Sequence, residues 1–174
     1  MIEVKTTIFD TKFLSMDFII RKGEKKDMQS VLDLITELAV FEKEPDAVDI
    51  SVADLLNDGF SENPKFKIFV AEQENQIIGI ALFYERYSTW KGRTIHLEDL
   101  IVTKNKQKIG AGKALYTAVL KYAFDHNFNR VAWEVIDWNV NAIDFYKSTG
   151  ATYLNDWSVV QMNKENLAKF IQNN

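Results

Sequence analysis

Apolar positions recur along this chain in two periods, and the changes of period sketch an order of elements. "FIIRKG" (18–23) reads as a short strand. Met28, Val31, Leu32, Ile35, Leu38 and Ala39 then fall at helical spacing, which predicts an amphipathic helix with Asp27 at its positive end. Pro45 breaks the acidic "FEKEPDAVD" that follows. "SVADLLNDGF" predicts a second, short helix, with Ser51 to cap it and Gly59 to close it. "KFKIFVAEQ" and "QIIGIALFYERY" predict two strands joined as a hairpin about "ENQ". "STWKG" is a turn, and "RTIHLEDLIVT" predicts a fourth strand. After "KNKQKIGAGK", Leu115, Ala118, Val119 and Tyr122 carry the period of a long helix. "RVAWEVI" predicts a fifth strand. "NVNAIDFYKSTG" predicts a helix with Gly150 as a left-handed C-cap. "TYL" and "SVVQMN" read as strands and "KENLAKFIQ" as a terminal helix. The order βααβββαβαββα predicts a mixed α+β sheet in one domain. Residues 1–17 read as an N-terminal extension that need not be ordered, with Met16 as an alternative start, and 18–174 as the domain.

Composition narrows the chemistry. Of 174 residues, 47% are hydrophobic and 26% charged, enough for a globular core. A formal net charge of −4 argues against nucleic acid as a partner and favours cationic ones. With no cysteine, disulfides, thiolate metal sites and cysteine nucleophiles are excluded. Two histidines are too few for a histidine-based metal site, so no metal is expected. No apolar run approaches the ~18 residues of a membrane span. The N-terminus lacks the unbroken apolar core of a signal peptide. The reading is a cytoplasmic protein with no membrane partner.

One stretch resists a purely structural reading. "IHLEDLIV" (95–102) is apolar and β-branched, yet Glu98 and Asp99 stand side by side in its middle. A buried carboxylate without a partner is costly, and two adjacent ones repel each other. Either an Arg or Lys pairs with them inside the fold, or a cationic ligand does. On a regular strand they would also point to opposite faces.

The loop after this strand offers a second clue. Gln107, Lys108, Ile109, Gly110, Ala111 and Gly112 lead into a helix start, among Lys104, Lys106, Lys108 and Lys113. Glycines let a ligand approach the backbone, and a helix N-terminus favours phosphate. A Walker A loop would need Gly at Gln107 and Ser or Thr at Ala114, and fails at both. A dinucleotide fingerprint would need a small residue at Leu115. The Gln/Arg-x-x-Gly-x-Gly/Ala loop that cradles the pyrophosphate of coenzyme A fits Gln107 to Gly112. The bland alternative is a glycine turn with a solvated lysine face.

Downstream, "NVNAIDFYKSTGA" resembles the Asn…Ala-Ile-x-Phe-Tyr-x-x-x-Gly element of the GNAT superfamily of acyl-CoA-dependent N-acetyltransferases. Asn139 stands seven residues before Tyr146, as in that element. "ITELAVFEKE", "DLLNDGF" and "YSTWKGRTIHLEDLIV" are similar to the spermidine/spermine and thialysine acetyltransferase branch. Two departures are Phe41 where the branch has Tyr, and a short segment before Trp157. The resemblance implies a GNAT fold: a mixed, mostly antiparallel sheet of about six to seven strands flanked by helices, splayed between the fourth and fifth strands. It implies acetyl-CoA as co-substrate and transfer to a primary amine of a small cationic molecule by direct attack. Alternatives are another small amine, a protein lysine, or a non-catalytic acyl-CoA-binding sensor. It also implies a homodimer.

Site roles follow from the same resemblance. A bulge in the fourth strand would free a backbone N–H among Leu100, Ile101 and Val102 for the thioester carbonyl. Gln107, Lys108, Ile109, Gly110, Ala111, Gly112 and Lys113 would hold the pyrophosphate, and Asn139 the pantetheine arm. Glu98 and Asp99 would attract the amine and relay its proton. Tyr146 would protonate the departing sulfur. Glu42 would bind a distal ammonium, with Phe41 and Trp157 lining the pocket. His96 reads as a bystander on the strand.

Overall fold

The hydrophobic alternation becomes one five-stranded sheet, with neighbours in sequence order. The strands are β1 (Ile19–Lys22), β2 (Lys67–Gln73), β3 (Gln76–Ser88), β4 (Gly92–Val102) and β5 (Val131–Ala132). β1 to β4 pair antiparallel, and β5 joins β4 in parallel. The computed structural model describes residues 17–173; residues 1–16 of the expected extension over 1–17, with the alternative start at Met16, lie outside the described residues. The chain divides between Glu134 and Val135 into two compact units.

In the first unit the two faces of the sheet are covered by different helices. α1 (Met28–Phe41) and α2 (Val52–Phe60) cover one face. Met28, Val31, Leu34 and Leu55 pack there with Ile68, Val70, Ile80, Leu82 and Ile101. Full burial of such side chains is worth about 1.5–3 kcal/mol each. α3 (Ala111–Asp125) covers the other face, where Tyr122 meets the rings of Phe69 and Phe83. Ser51 caps α2, accepting from Asp54 N–H, as its sequence predicts. Gly59 does not close that helix. It lies within α2, where a Cβ would come 2.6 Å from the Phe66 ring, so close packing is what requires glycine.

The β2–β3 hairpin turns on Glu74 and Asn75 alone, both with positive φ, as a two-residue turn of right-handed strands requires; Gln76 already belongs to β3. The fifth strand spans two residues rather than the seven of "RVAWEVI". Its composition suits a strand over the full length, but pairing with β4 stops at His96, opposite Ala132. The sheet is therefore open beyond that point, between the fourth and fifth strands.

The second unit holds α4 (Val140–Ser148) and α5 (Lys164–Gln172). Gly150 follows α4 with φ +89°, the left-handed C-terminal position read from sequence. The expected strands "TYL" and "SVVQMN" do not form: residues 151–163 have no regular structure. A strand is completed by a neighbouring edge, and no strand occurs among the described residues of this unit. The sheet accordingly has five strands rather than six or seven.

Candidate active site

The two carboxylates of β4 sit at an interruption of the ladder. Asp99 pairs with Leu82 and Leu97 with Phe83, so Glu98 is an extra residue, a β-bulge. Directly opposed residues share a face of the sheet, and successive ones alternate. His96 opposes Tyr84, and Asp99 opposes Leu82, two residues away on the same face of β3. The extra residue thus resets the alternation. Asp99 would lie opposite to His96 on a regular strand; here both face the α1 side. Glu98 joins them, with its Oε2 3.4 Å from His96 Nε2. The bulge resolves the difficulty raised by two adjacent carboxylates, because both reach one side.

The electrostatics of this group are those of uncompensated negative charge. Burial, then the charges of Glu98 and Glu42, raise the Asp99 carboxyl to about 6. Glu42, the C-cap of α1, is itself raised by burial. The Tyr84 phenol is raised by burial and next by the Glu98 charge; Arg86 opposes the shift and Glu134 adds to it. Among the described residues, neither Glu98, Asp99 nor Glu42 pairs with an Arg or Lys. An internal ion pair is therefore not why the carboxylates are there. Phe41 stands beside Glu42 with its side chain exposed.

The same stretch presents main-chain donors. Thr103 N–H donates to Ile78 O at 2.9 Å, so the ladder's alternation turns the N–H groups of Ile101 and Asp99 toward β3. The N–H groups of Leu100 and Val102 then face the opposite edge, where β5 has already ended. Those donors point into the opening of the sheet.

The glycine loop follows directly. Gln107 anchors it by donating from Nε2 to Val102 O at 3.3 Å, and Lys104 N–H donates to Glu37 Oε1 at 2.8 Å. Lys108 and Gly110 have positive φ, which bends the chain into the start of α3. Among the described residues, the N–H groups of Ile109, Gly110, Ala111, Gly112 and Lys113 meet no main-chain carbonyl. A Cβ on Gly112 would touch nothing closer than Val102 at 3.7 Å. Internal packing does not demand glycine at that position; a molecule approaching from outside would. Free amides at a helix N-terminus are suited to an anionic group such as pyrophosphate.

The remaining expected residues belong to the second unit. Asn139 is the N-cap of α4, its Oδ1 accepting from Ala142 N–H at 3.3 Å, which leaves its amide NH2 group as a donor. Tyr146 is half-buried on α4, its ring 5.3 Å from Phe145. Seven residues make nearly two helical turns, so Asn139 and Tyr146 lie along one side of α4. Trp157 is exposed, in the segment without regular structure.

Three participants escaped the reading of the sequence. His96, read from sequence as a bystander, is the neighbour of Glu98, and Tyr84 and Glu134 contribute to the same field. The spacing of two between His96 and Glu98 was a visible signal, since it places both on one face of a strand. Tyr84 had none, because cross-strand register is not written locally.

Comparison with known proteins bears on this arrangement. The sequence signature described as the Acetyltransferase (GNAT) family matches residues 28–151. A thialysine N-epsilon-acetyltransferase of Sus scrofa is 38% identical over 146 residues, covering 79% of this chain and 86% of that protein. A spermidine/spermine N(1)-acetyltransferase-like protein 1 of Homo sapiens is 35% identical over 164 residues, 88% of this chain; the chain spans 24% of that protein's length. An integron cassette protein of V. cholerae is similar in structure, with a TM-score of 0.73, 24% identity, and coverage of 91% of this chain and 99% of that one.

Proposed function

Since the chain belongs to the acetyltransferase (GNAT) family, we propose that it moves an acetyl group from acetyl-CoA to a primary amine of a small cationic substrate, a diamine, polyamine or lysine-like amino acid. The observation that carries the choice of substrate is the bulge at Glu98, which gathers Glu98, Asp99 and the field of Glu42 on one face, where among the described residues none of the three pairs with an Arg or Lys. A dication supplies the positive charge that the fold withholds.

The chemistry follows from what an ammonium must lose. At neutral pH a primary amine, with a pKa near ~10.4, is almost wholly protonated and not nucleophilic. Glu98, more exposed and held near His96, attracts the cation. Asp99, raised to about 6, is better matched than an ordinary carboxylate to accept a proton near neutrality, directly or through water. The freed nitrogen bonds to the thioester carbonyl carbon. The developing negative charge on the carbonyl oxygen meets the N–H of Leu100 or Val102. The C–S bond then breaks, the Tyr146 hydroxyl gives its proton to the leaving sulfur, and the proton that the nitrogen sheds on becoming an amide passes through water to restore the phenol. Gln107 to Lys113 hold the pyrophosphate through their amides, and the Asn139 side-chain amide donates to the pantetheine arm. Glu42 takes the distal ammonium of the substrate, beside Phe41. The assembly we propose is a homodimer, to be read from its mass in solution.

Free-thiol release from acetyl-CoA across a panel of amines tests this. Diamines and lysine-like amino acids should give the highest kcat/KM, and monoamines, which lack the distal ammonium, lower values. Coenzyme A binding with no thiol release for any amine would replace the enzyme by an acyl-CoA sensor. Preference for a lysine-containing peptide over every small amine would reassign the substrate.

A further inference from the structure

The imidazole of His96 is buried, with 8% of its surface accessible, between the buried aliphatic side chains of Ile95 and Leu97 in sequence. Its Nε2 lies 3.4 Å from Glu98 Oε2, while its Nδ1 is fully buried and meets no partner. These two facts fix where the ring proton belongs. An N–H at Nδ1 would have no acceptor, and an unpaired buried donor is destabilising. An N–H at Nε2 faces a carboxylate. The neutral ring is thus a donor aimed at Glu98, and its other face rests against Tyr84, with ring centroids 5.2 Å apart. The 3.4 Å approach is longer than a closed hydrogen bond, which leaves Glu98 a short travel before it is locked.

We propose that His96 is a positioning residue for the amine site: through Nε2–H it holds the Glu98 carboxylate over Asp99, and the contact closes when a cationic substrate docks. The inference rests on the proposed acetyl transfer for its purpose, but not for its geometry. Glu98 is the unpaired residue of the bulge, without a ladder partner to fix its side chain; the Tyr84 hydroxyl hydrogen-bonds its carboxylate from across the sheet, and the His96 ring beside it supplies a second restraint. The charged or titratable groups facing the pair are Tyr84 and Arg86 from β3, Asp99 from β4, Glu42 at the end of α1, and Glu134 after β5. Excess negative charge around Glu98 makes a neutral donor useful, since it restrains the carboxylate without cancelling the field that draws the amine.

The test uses the full chain and two readouts. In activity, His96→Phe keeps the ring volume but removes the donor, and should lower kcat/KM for the amine about 10- to 100-fold, as misplacement of a reacting group does. The KM for acetyl-CoA should stay unchanged. His96→Gln restores an N–H donor and should recover most of the loss. The double variant with Glu98→Gln should lose little beyond the worse single variant, because both act through one contact. Additive losses, or equal losses in His96→Phe and His96→Gln with both folded by circular dichroism, would overturn the proposal. In spectroscopy, the chain has two histidines, so His126→Gln leaves His96 alone in a 15N-histidine spectrum. The Nε2-protonated tautomer is expected, with resonances that move on Glu98→Gln and on titration with 1,4-diaminobutane. A ring insensitive to Glu98→Gln refutes the contact, whether or not the protein releases thiol. A wild-type protein silent on the amine panel with a Glu98-sensitive ring would instead overturn acetyl transfer and leave the contact standing.

Discussion

Two carboxylate clusters in the first unit have opposite electrostatic fates. Near the start of the sheet, Asp27 is buried and receives two hydrogen bonds from the Arg21 guanidinium, at 2.7 and 2.9 Å. Arg21 also donates to Glu72 on the neighbouring strand. The Arg21 hydrogen bonds hold the Asp27 carboxyl below the usual range, and the Glu24 N–H adds to that effect. Around the β4 bulge, Asp99 has no such partner, and its carboxyl rises to about 6. The same side-chain chemistry is closed off in one place and left open in the other. A fold that neutralises a buried Asp with a bidentate Arg has the means to do so elsewhere. The cluster at the bulge, which pairs with no Arg or Lys among the described residues, is where we propose that a cation comes from outside.

The comparison can be broken first at its closed end. Asp27→Asn should destabilise the protein by about 3 kcal/mol, because a partly buried Arg21 loses a charged partner, while Glu72 prevents a larger loss. Chemical denaturation measures it, and activity per folded molecule should be unchanged. Loss of kcat without loss of stability would show that the first cluster is not structural.

Asp99→Asn should do the reverse. The folded pKa of Asp99 stands above its unfolded value of ~3.9, so the native state binds the proton more tightly. The contribution of Asp99 to native stability is greatest below about pH 4, falls as pH rises through the interval to about 6, and stays reduced above it. The shift corresponds to at most about 3 kcal/mol at pH 7.5. The Asn variant should be more stable than the parent at pH 7.5 by about 1–2 kcal/mol, and no more stable at pH 4. Its kcat/KM should drop by about 100-fold or more, and the acid limb near pH 6 should disappear. A variant equally stable at both pH values would deny the desolvation of Asp99.

Glu42→Gln should have the smallest effect. Removing one of three like charges should raise KM for a diamine about tenfold and leave kcat nearly intact, since an exposed ligand ammonium gains only modestly from one carboxylate. Initial rates on a diamine and a monoamine separate the two cases: the monoamine should hardly respond.

Much of the fold was legible because its causes are local. The helical stripe from Met28 to Ala39, the Ser51 cap and the Gly150 turn each depend on residues a few positions apart. A bulge in the fourth strand was expected from the family resemblance alone; its position at Glu98 did not show in the sequence, since it is a relation between Glu98 and a strand fifteen residues upstream. The carboxylates were recognisable as misplaced, but not that one extra residue aligns them. The surroundings of His96 were not foreseen for the same reason, as they are built in part by Tyr84 from across the sheet. The strands expected in residues 151–163 failed because strand propensity describes a residue's fitness for a ladder, not the presence of one.

Residue 98 also separates what the sheet needs from what the site needs. Its neighbours Leu97 and Asp99 already oppose consecutive residues of β3, Phe83 and Leu82. A chain shortened by that single residue would heal into an unbroken ladder, with every remaining side chain of β4 still on its present face. Deletion inside a central strand is ordinarily ruinous, because it inverts everything beyond it. Here it would yield a more regular protein, and one without the carboxylate that the irregularity displays.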